Sequence, residues 1–251
     1  MFVQANLSWR TWAVAAIVVL LALGVLVERR LTAAVAPLPQ PLDRVPSVQK
    51  LVALTINVDW GEEFLPGILT ALDQGGGRAT FFITGRWAKA HPDLVRQIAQ
   101  QGHQIENHGY SHPHPDRLSV SANLEEIKKA ESVLRALTGR KPRFYAPPYG
   151  EKGPAGLRAA HQLGYQTVLW TLDTVDWRPE STPELIAQRV LNPGSRFGVK
   201  PDKRGAIVLM HPKENTVKAL PVILKQLERE GFRCVTLDEL ITLSQAGNTT
   251  P

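Results

Sequence analysis

The sequence predicts an α/β fold, a distorted (β/α) barrel of about seven strands, with a doubly wound open sheet as the alternative. Three observations predict it. Apolar runs of strand length recur seven times between residues 51 and 237. Helical patterns lie between most of them, and Gly102, Gly139, Gly164 and Gly231 stand where those helices should stop. Polar, chemistry-bearing residues follow the apolar runs directly, and in parallel α/β folds the C-terminal strand ends are where chemistry is carried.

The elements follow in chain order. Residues 12–27, WAVAAIVVLLALGVLV, carry no charge and are bracketed by Arg10 and by Glu28, Arg29 and Arg30. The run is marginal in length for a membrane span and near the upper limit of a signal-peptide core. Residues 1–30 are read as an uncleaved, single-pass membrane-anchor helix, with a cleaved signal as the alternative. The flanking charges do not fix its orientation. Residues 31–49 hold four prolines and read as a semi-rigid linker. The main domain is expected over 50–245, followed by a tail at 246–251.

Within that domain the expected strands are 51–57, 79–84, 103–108, 143–146, 166–170, 206–211 and 234–237. The expected helices are 63–74, 92–101, 121–138, 154–163, 183–191, 216–230 and 238–244. Thr182 and Pro183, with Glu184 in the first turn, are a clear helix start.

With 251 residues, 43% hydrophobic and 21% charged, the chain can bury one sizeable core, which excludes disordered and collagen-like classes. The net charge of +6 favours an anionic partner, such as a wall polymer or a membrane surface. Nucleic acid is not expected: Lys200, Lys203, Arg204 and Lys213 are the nearest thing to a basic run, and no aromatics interleave them. The single cysteine, Cys234, excludes an internal disulfide and a thiolate metal site.

The polar residues at the strand ends are specific. Asp59, Trp60, Glu62 and Glu63 follow the first strand. HGYSHPH follows the third, and its His108 and His112 are four residues apart. Two neutral imidazoles and a carboxylate form a common set for a catalytic zinc, although paired histidines also occur by chance on surfaces. His114, between Pro113 and Pro115, reads as a solvated loop residue. Pro147, Pro148, Tyr149 and Gly150 follow the fourth strand. Asp173, Asp176 and Trp177 follow the fifth, and His211 ends the sixth. His211 would act as a general acid if a carboxylate orients it, with Asp173 and Asp176 as the candidates.

These stretches in this order resemble the polysaccharide deacetylases, the NodB-homology domain or carbohydrate esterase family 4. They are RATFFITGRWAKAHPDLVRQIAQQGHQIENHGYSHPH, YAPPYG, LWTLDTVDW and IVLMHP, with TVKALPVILKQLEREGFRCVTLDEL closing the domain. The resemblance covers roughly residues 50–243, and a membrane-anchored, sporulation-associated subgroup is the most similar part of the family. It implies a distorted (β/α) barrel that removes acetyl groups from peptidoglycan-like or chitin-like sugars. It also implies Zn2+, or another divalent metal such as Co2+, Ni2+ or Mn2+. On this chain His108 and His112 match the metal histidines, and Asp59 is the carboxylate available as third ligand. His211 matches the general acid and Asp176 its orienting carboxylate. Tyr149 matches an oxyanion-stabilising backbone position. Trp177, Leu209 and Pro147 match the walls of the acetyl pocket. The implied partner is an acetylated cell-wall glycan, and the domain is expected outside the cytoplasm, held at the cell membrane by the N-terminal helix.

Two departures stand out. The family's first motif, T-F-D-D-G, is replaced by Thr55, Ile56, Asn57, Val58, Asp59, Trp60 and Gly61. Asn57 sits in the base slot when the strand is aligned, and Asp59 when the glycine is aligned. The family arginine before PPYG is Ala146 here. Two functions follow: a deacetylase of wall glycan, weak or with a rebuilt base, or a catalytically inactive glycan-binding relative in envelope or spore assembly.

Overall fold

The computed structural model of the chain describes residues 9–35, 37–195 and 201–248. Residues 1–8 of the expected anchor, 249–251 of the tail and Lys200 lie outside the described residues. The chain forms two compact units, Met1–Leu38 and Pro39–Pro251.

The first unit is a helix, α1 (Trp9–Val35), with no acidic residue in its first turn and no basic residue in its last. Its described side chains, from Trp12 to Val25, are all exposed. Among the described residues no helix is long and apolar enough to cross a membrane.

The second unit is an all-parallel, curled sheet wrapped by helices. Its strands are β1 (Leu51–Val58), β2 (Thr80–Ile83), β3 (Gln104–Asn107), β4 (Phe144–Tyr145), β5 (Gln166–Thr167), β6 (Leu172–Asp173), β7 (Ala206–Met210) and β8 (Arg233–Val235). Their order is β5-β4-β3-β2-β1-β7-β6. β8 joins the first half of β1, pairing Leu51 with Arg233, while β2 pairs the second half, Asn57 with Phe82. The helices are α2 (Leu65–Gln74), α3 (Gly85–Ala90), α4 (Pro92–Gln100), α5 (Val120–Thr138), α6 (Pro154–Gln162), α7 (Pro183–Leu191), α8 (Glu214–Arg229) and α9 (Leu237–Asn248). This is the distorted (β/α) barrel expected from the sequence, with eight strands among the described residues where about seven were expected.

Strand side chains alternate between two faces, and here both faces are buried. Leu54, Ile56 and Val58 of β1 face the helices with Leu65, Ile68, Ile83, Ile98 and Ile223. Leu51 and Ala53 face the barrel interior with Phe82, Phe144, Ala146, Ile207 and Val235. At about 25 cal/mol per Å² of apolar area, these two layers are the main source of stability.

The sequence reading missed two elements. β6 has only two residues, too few to show a period. α3, GRWAKA, has six and begins on a glycine, which breaks the helical signal. The compact unit also starts earlier than residue 50. Leu42 N–H donates to Thr167 O at 2.8 Å, and Val45 N–H to Gly205 O at 2.9 Å. Gly205 is required there: its φ is +68°, and a Cβ would stand 1.7 Å from Val45 O. Half of the expected linker is thus a strap along the sheet edge.

Candidate functional site

The interior face of the barrel ends in a polar rim, and the strand period decides what reaches it. Asn57 lies on the same face of β1 as Leu51 and Ala53, whereas Val58 belongs to the helix-side core. Asp59 continues the inward face beyond the strand. Aligning the strand with the family motif would put Val58 in the metal-ligand slot, and its place in the helix-side core rules that out. Asn57 is 7% exposed, and its Oδ1 has no hydrogen-bond partner.

Asp59 is fully engaged. Its Oδ1 accepts from Thr84 Oγ1 at 2.7 Å and from Arg86 Nε at 2.9 Å, and its Oδ2 accepts from Arg86 Nη2. The Asp59 side chain is 8% exposed and that of Arg86 52%. Burial alone would raise the Asp59 carboxyl, but the bonds from Arg86 and Thr84, with the neighbouring His112, hold it below its ordinary value. Thr84 and Arg86 are available because β2 ends at Ile83 and the chain turns at once into α3.

The histidine loop follows β3. His108 is 3% exposed, and its Nδ1 stands 2.7 Å from Ala146 O. A proton on Nδ1 donates to that carbonyl, which leaves Nε2 with a lone pair for the site. Burial first, and then His112, push the His108 pKa down to about 3, so the ring is neutral. His112 takes a left-handed backbone, φ 58°, and its ring centroid is 5.0 Å from that of His108. The loop is braced from outside. Asn107 Oδ1 accepts from Gly109 N–H at 2.8 Å, and Glu126 accepts from Tyr110 N–H, Ser111 N–H and Ser111 Oγ at 2.8–3.0 Å. His114 is not the solvated residue expected from its prolines. It bonds Glu151 Oε1 at 2.6 Å and stacks on Tyr149 with centroids 3.9 Å apart. Tyr149 also has a left-handed backbone, φ 60°, and its ring meets the edge of His112 at 4.7 Å. Pro147 before it is buried, while Tyr149 is 57% exposed.

The opposite side of the rim carries His211. Its Nδ1 lies 2.8 Å from Asp176 Oδ1, and its backbone N–H donates to Asp176 Oδ2 at 2.7 Å. Thr216 Oγ1 donates to the same Oδ2 at 2.7 Å. The structure thus selects Asp176 over Asp173, which accepts from Val175 N–H instead. Leu209, buried on β7, pairs with Asp173 across to β6. Trp177 is 47% exposed, with the Arg178 guanidinium 5.0 Å from its ring. Trp60 stacks on His211 at 6.0 Å and 12°, with Lys213 Nζ 4.5 Å from its own ring centroid. Gly61 makes this turn possible: its φ is +82°, and a Cβ would stand 2.3 Å from Pro212 O.

The rim therefore brings Asp59, His108, His112 and His211 into one electrostatic neighbourhood, with Asp176 bonded to His211. The charges of His112, His211 and Asp59 all act on His108. As a metal centre the arrangement does not fit. The donors are of the right kind, but both oxygens of Asp59 already serve a guanidinium. Among the described residues no group of three His, Cys, Asp or Glu side chains is arranged to hold a metal ion. Sequence reasoning missed Arg86, Thr84 and Glu126. The partner of Asp59 is 27 residues away, and only the β1–β2 register could have revealed it.

The geometry agrees with what this chain is similar to. Residues 44–168 match the polysaccharide deacetylase family. An uncharacterized protein of Bacillus subtilis, YlxY, is 34% identical over 81% of this chain, which spans 61% of that protein's length. A peptidoglycan-N-acetylglucosamine deacetylase of Bacillus cereus is 37% identical over 77% of this chain and 69% of the relative. Among solved structures, a carbohydrate esterase family 4 pseudoenzyme from Bacillus anthracis superposes with a TM-score of 0.73 at 35% identity, over 81% of this chain and 69% of that one. A mutant of that pseudoenzyme is described as having restored enzymatic activity. A half-barrel with a histidine pair on one side of its rim and a His–Asp pair on the other, together with this level of identity, leaves one conclusion: the chain belongs to the polysaccharide deacetylase family.

Proposed function

We propose that the chain binds acetylated cell-wall glycan, peptidoglycan or chitin-like, at the rim between His112 and His211, and that with its present residues it holds the sugar without efficient hydrolysis. One observation carries this reading: the only carboxylate that β1 sends to the rim, Asp59, is committed to Arg86 and Thr84. Asn57, in the base slot, accepts no proton usefully near neutral pH. Exposed Trp60, Tyr149 and Trp177 offer apolar faces on which sugar rings stack. The likeness to a pseudoenzyme of the same esterase family supports the same reading.

The deciding experiment incubates the protein at high concentration with peptidoglycan fragments and with chitooligosaccharides. Glycan retention without acetate release is the expected result. Acetate release that His211→Ala abolishes overturns it.

A second reading is a slow N-deacetylase using zinc, or Co2+, Ni2+ or Mn2+, on Asp59, His108 and His112. The intact His211–Asp176 pair favours it, and it requires Arg86 to release Asp59. Under either reading the exposed apolar side chains of α1, Trp12 to Val25, support association with the cell membrane, and a glycan partner requires the domain to face the wall. Envelope or spore assembly is the setting proposed for such a protein.

A further inference from the structure

We infer that the Arg86 guanidinium is the resident cation of this rim, and that it keeps a divalent metal ion out by occupying Asp59, the carboxylate that β1 offers as third ligand beside His108 and His112. The placement of Arg86 is fixed at three points. Its backbone N–H donates to Tyr110 O at 2.9 Å, and Gly85 N–H donates to Gly109 O at 2.9 Å. The residue is therefore fastened to the same loop that carries the histidines. Its side chain then crosses to the end of β1 and grips Asp59 with two nitrogens.

A planar fork meeting both oxygens of a carboxylate is the strong form of this pair. Thr84 Oγ1 adds a third bond and fixes the carboxylate plane. The positive charge also reaches the imidazoles, since Arg86 acts on His112 in the direction opposite to Asp59. A dication between the two rings would meet that guanidinium as a like charge. It would also have to take Asp59 from it, leaving Arg86 unpaired. His108 is thus kept oriented, through Ala146 O, while the third partner of the histidine pair is denied.

This inference does not depend on glycan binding, because zinc alone is the probe. Calorimetric titration of the full chain with Zn2+ at neutral pH is compared with Arg86→Ala, and the visible spectrum of added Co2+ gives a second readout. Arg86→Ala is expected to bind Zn2+ about 10- to 100-fold more tightly than the unsubstituted chain. It should also develop the visible absorption of Co2+ bound to nitrogen ligands. The gain should vanish in Arg86→Ala combined with His108→Ala or with Asp59→Asn. Equal zinc affinity with and without Arg86 overturns the inference, as does a gain that survives Asp59→Asn. Should Arg86→Ala not fold, Arg86→Gln removes both the charge and the fork while keeping a long polar side chain. An affinity raised above that of the unsubstituted chain then supports the latch, and an unchanged one overturns it.

Discussion

The two sides of the rim have different fates. On the β7 side, Asp176 holds His211 through both its ring and its backbone, and also accepts from Thr216 on α8. On the β1 side, Asn57 stands at one of the two positions expected for the base, the position before PPYG is Ala146, and Asp59 serves Arg86. The difference teaches why a family-like half-site can persist without demonstrating turnover. Asp176 joins the β6 loop, the end of β7 and the start of α8, so its loss unfastens three elements. Asp59 joins only a turn and a short helix. The packing role of Asp176 gives the His211–Asp176 pair a reason that does not require turnover, and the chemistry must be judged at β1.

The largest expected effect tests that contrast directly. Asp176→Ala leaves the His211 N–H and the Thr216 hydroxyl without their acceptor inside a buried pocket, and should cost about 3 kcal/mol of folding stability. Asp59→Ala should cost about 1 kcal/mol, because its partner Arg86 is half exposed and returns to water. Urea unfolding of both variants measures the difference. Equal losses would break the comparison and place a structural role on the β1 side as well.

A middle-sized effect concerns the base position. Asn57→Asp puts a carboxylate at a 7% exposed site with no cation of its own, and should destabilise by roughly 2 kcal/mol. Ala146→Arg alone inserts a long side chain at a 5% exposed site on the interior face. That should cost a similar amount, about 1–3 kcal/mol. Together the two should recover at least about 1 kcal/mol of the summed loss, a coupling that a double-mutant cycle on thermal stability detects. Strict additivity would mean that the two positions do not face each other, and that their joint departure from the family pattern has no common physical cause.

Much of this was legible in the sequence, for identifiable reasons. β1, β2 and β7 are apolar runs bounded by polar turns, and α7 has both a threonine cap and an N1 proline. His108, His112, Asp176 and His211 were legible because each lies at, or a few residues after, the end of an expected strand. The Asp59–Arg86 pair was not, because it depends on β1 and β2 being neighbours with Asn57 opposite Phe82. His114 was misread because local prolines say nothing of Glu151, which is 37 residues away. The strap at residues 39–49 was misread because a proline-rich segment looks the same in solution and against a sheet edge.

The smallest effect sets the interior against the rim through pH. His103, in the interior near the start of β3, is 8% exposed, and burial lowers its pKa to about 4. His108, at the rim, is lowered to about 3. Each is neutral when folded and titrates near pH 6.5 when unfolded. The unfolded chain therefore binds more protons below that pH. Stability from these rings is complete above pH 6.5 and is lost as pH falls toward 4 and 3, by about 1 kcal/mol per pH unit for each ring. Glu106 opposes them. Burial raises it to about 7 although it accepts from Phe144 and Arg143 N–H at 2.7 Å. Its contribution is complete below pH 4.5 and fades as pH rises to 7. Two falling slopes against one rising slope leave a net loss between pH 6.5 and 4.5, measurable by urea unfolding across that range. Glu106→Gln should steepen this acid decline and His108→Asn should flatten it. A decline that His108→Asn leaves untouched would mean that the rim histidine is not held neutral, and the two regions would then differ more in pH response than their similar burial implies.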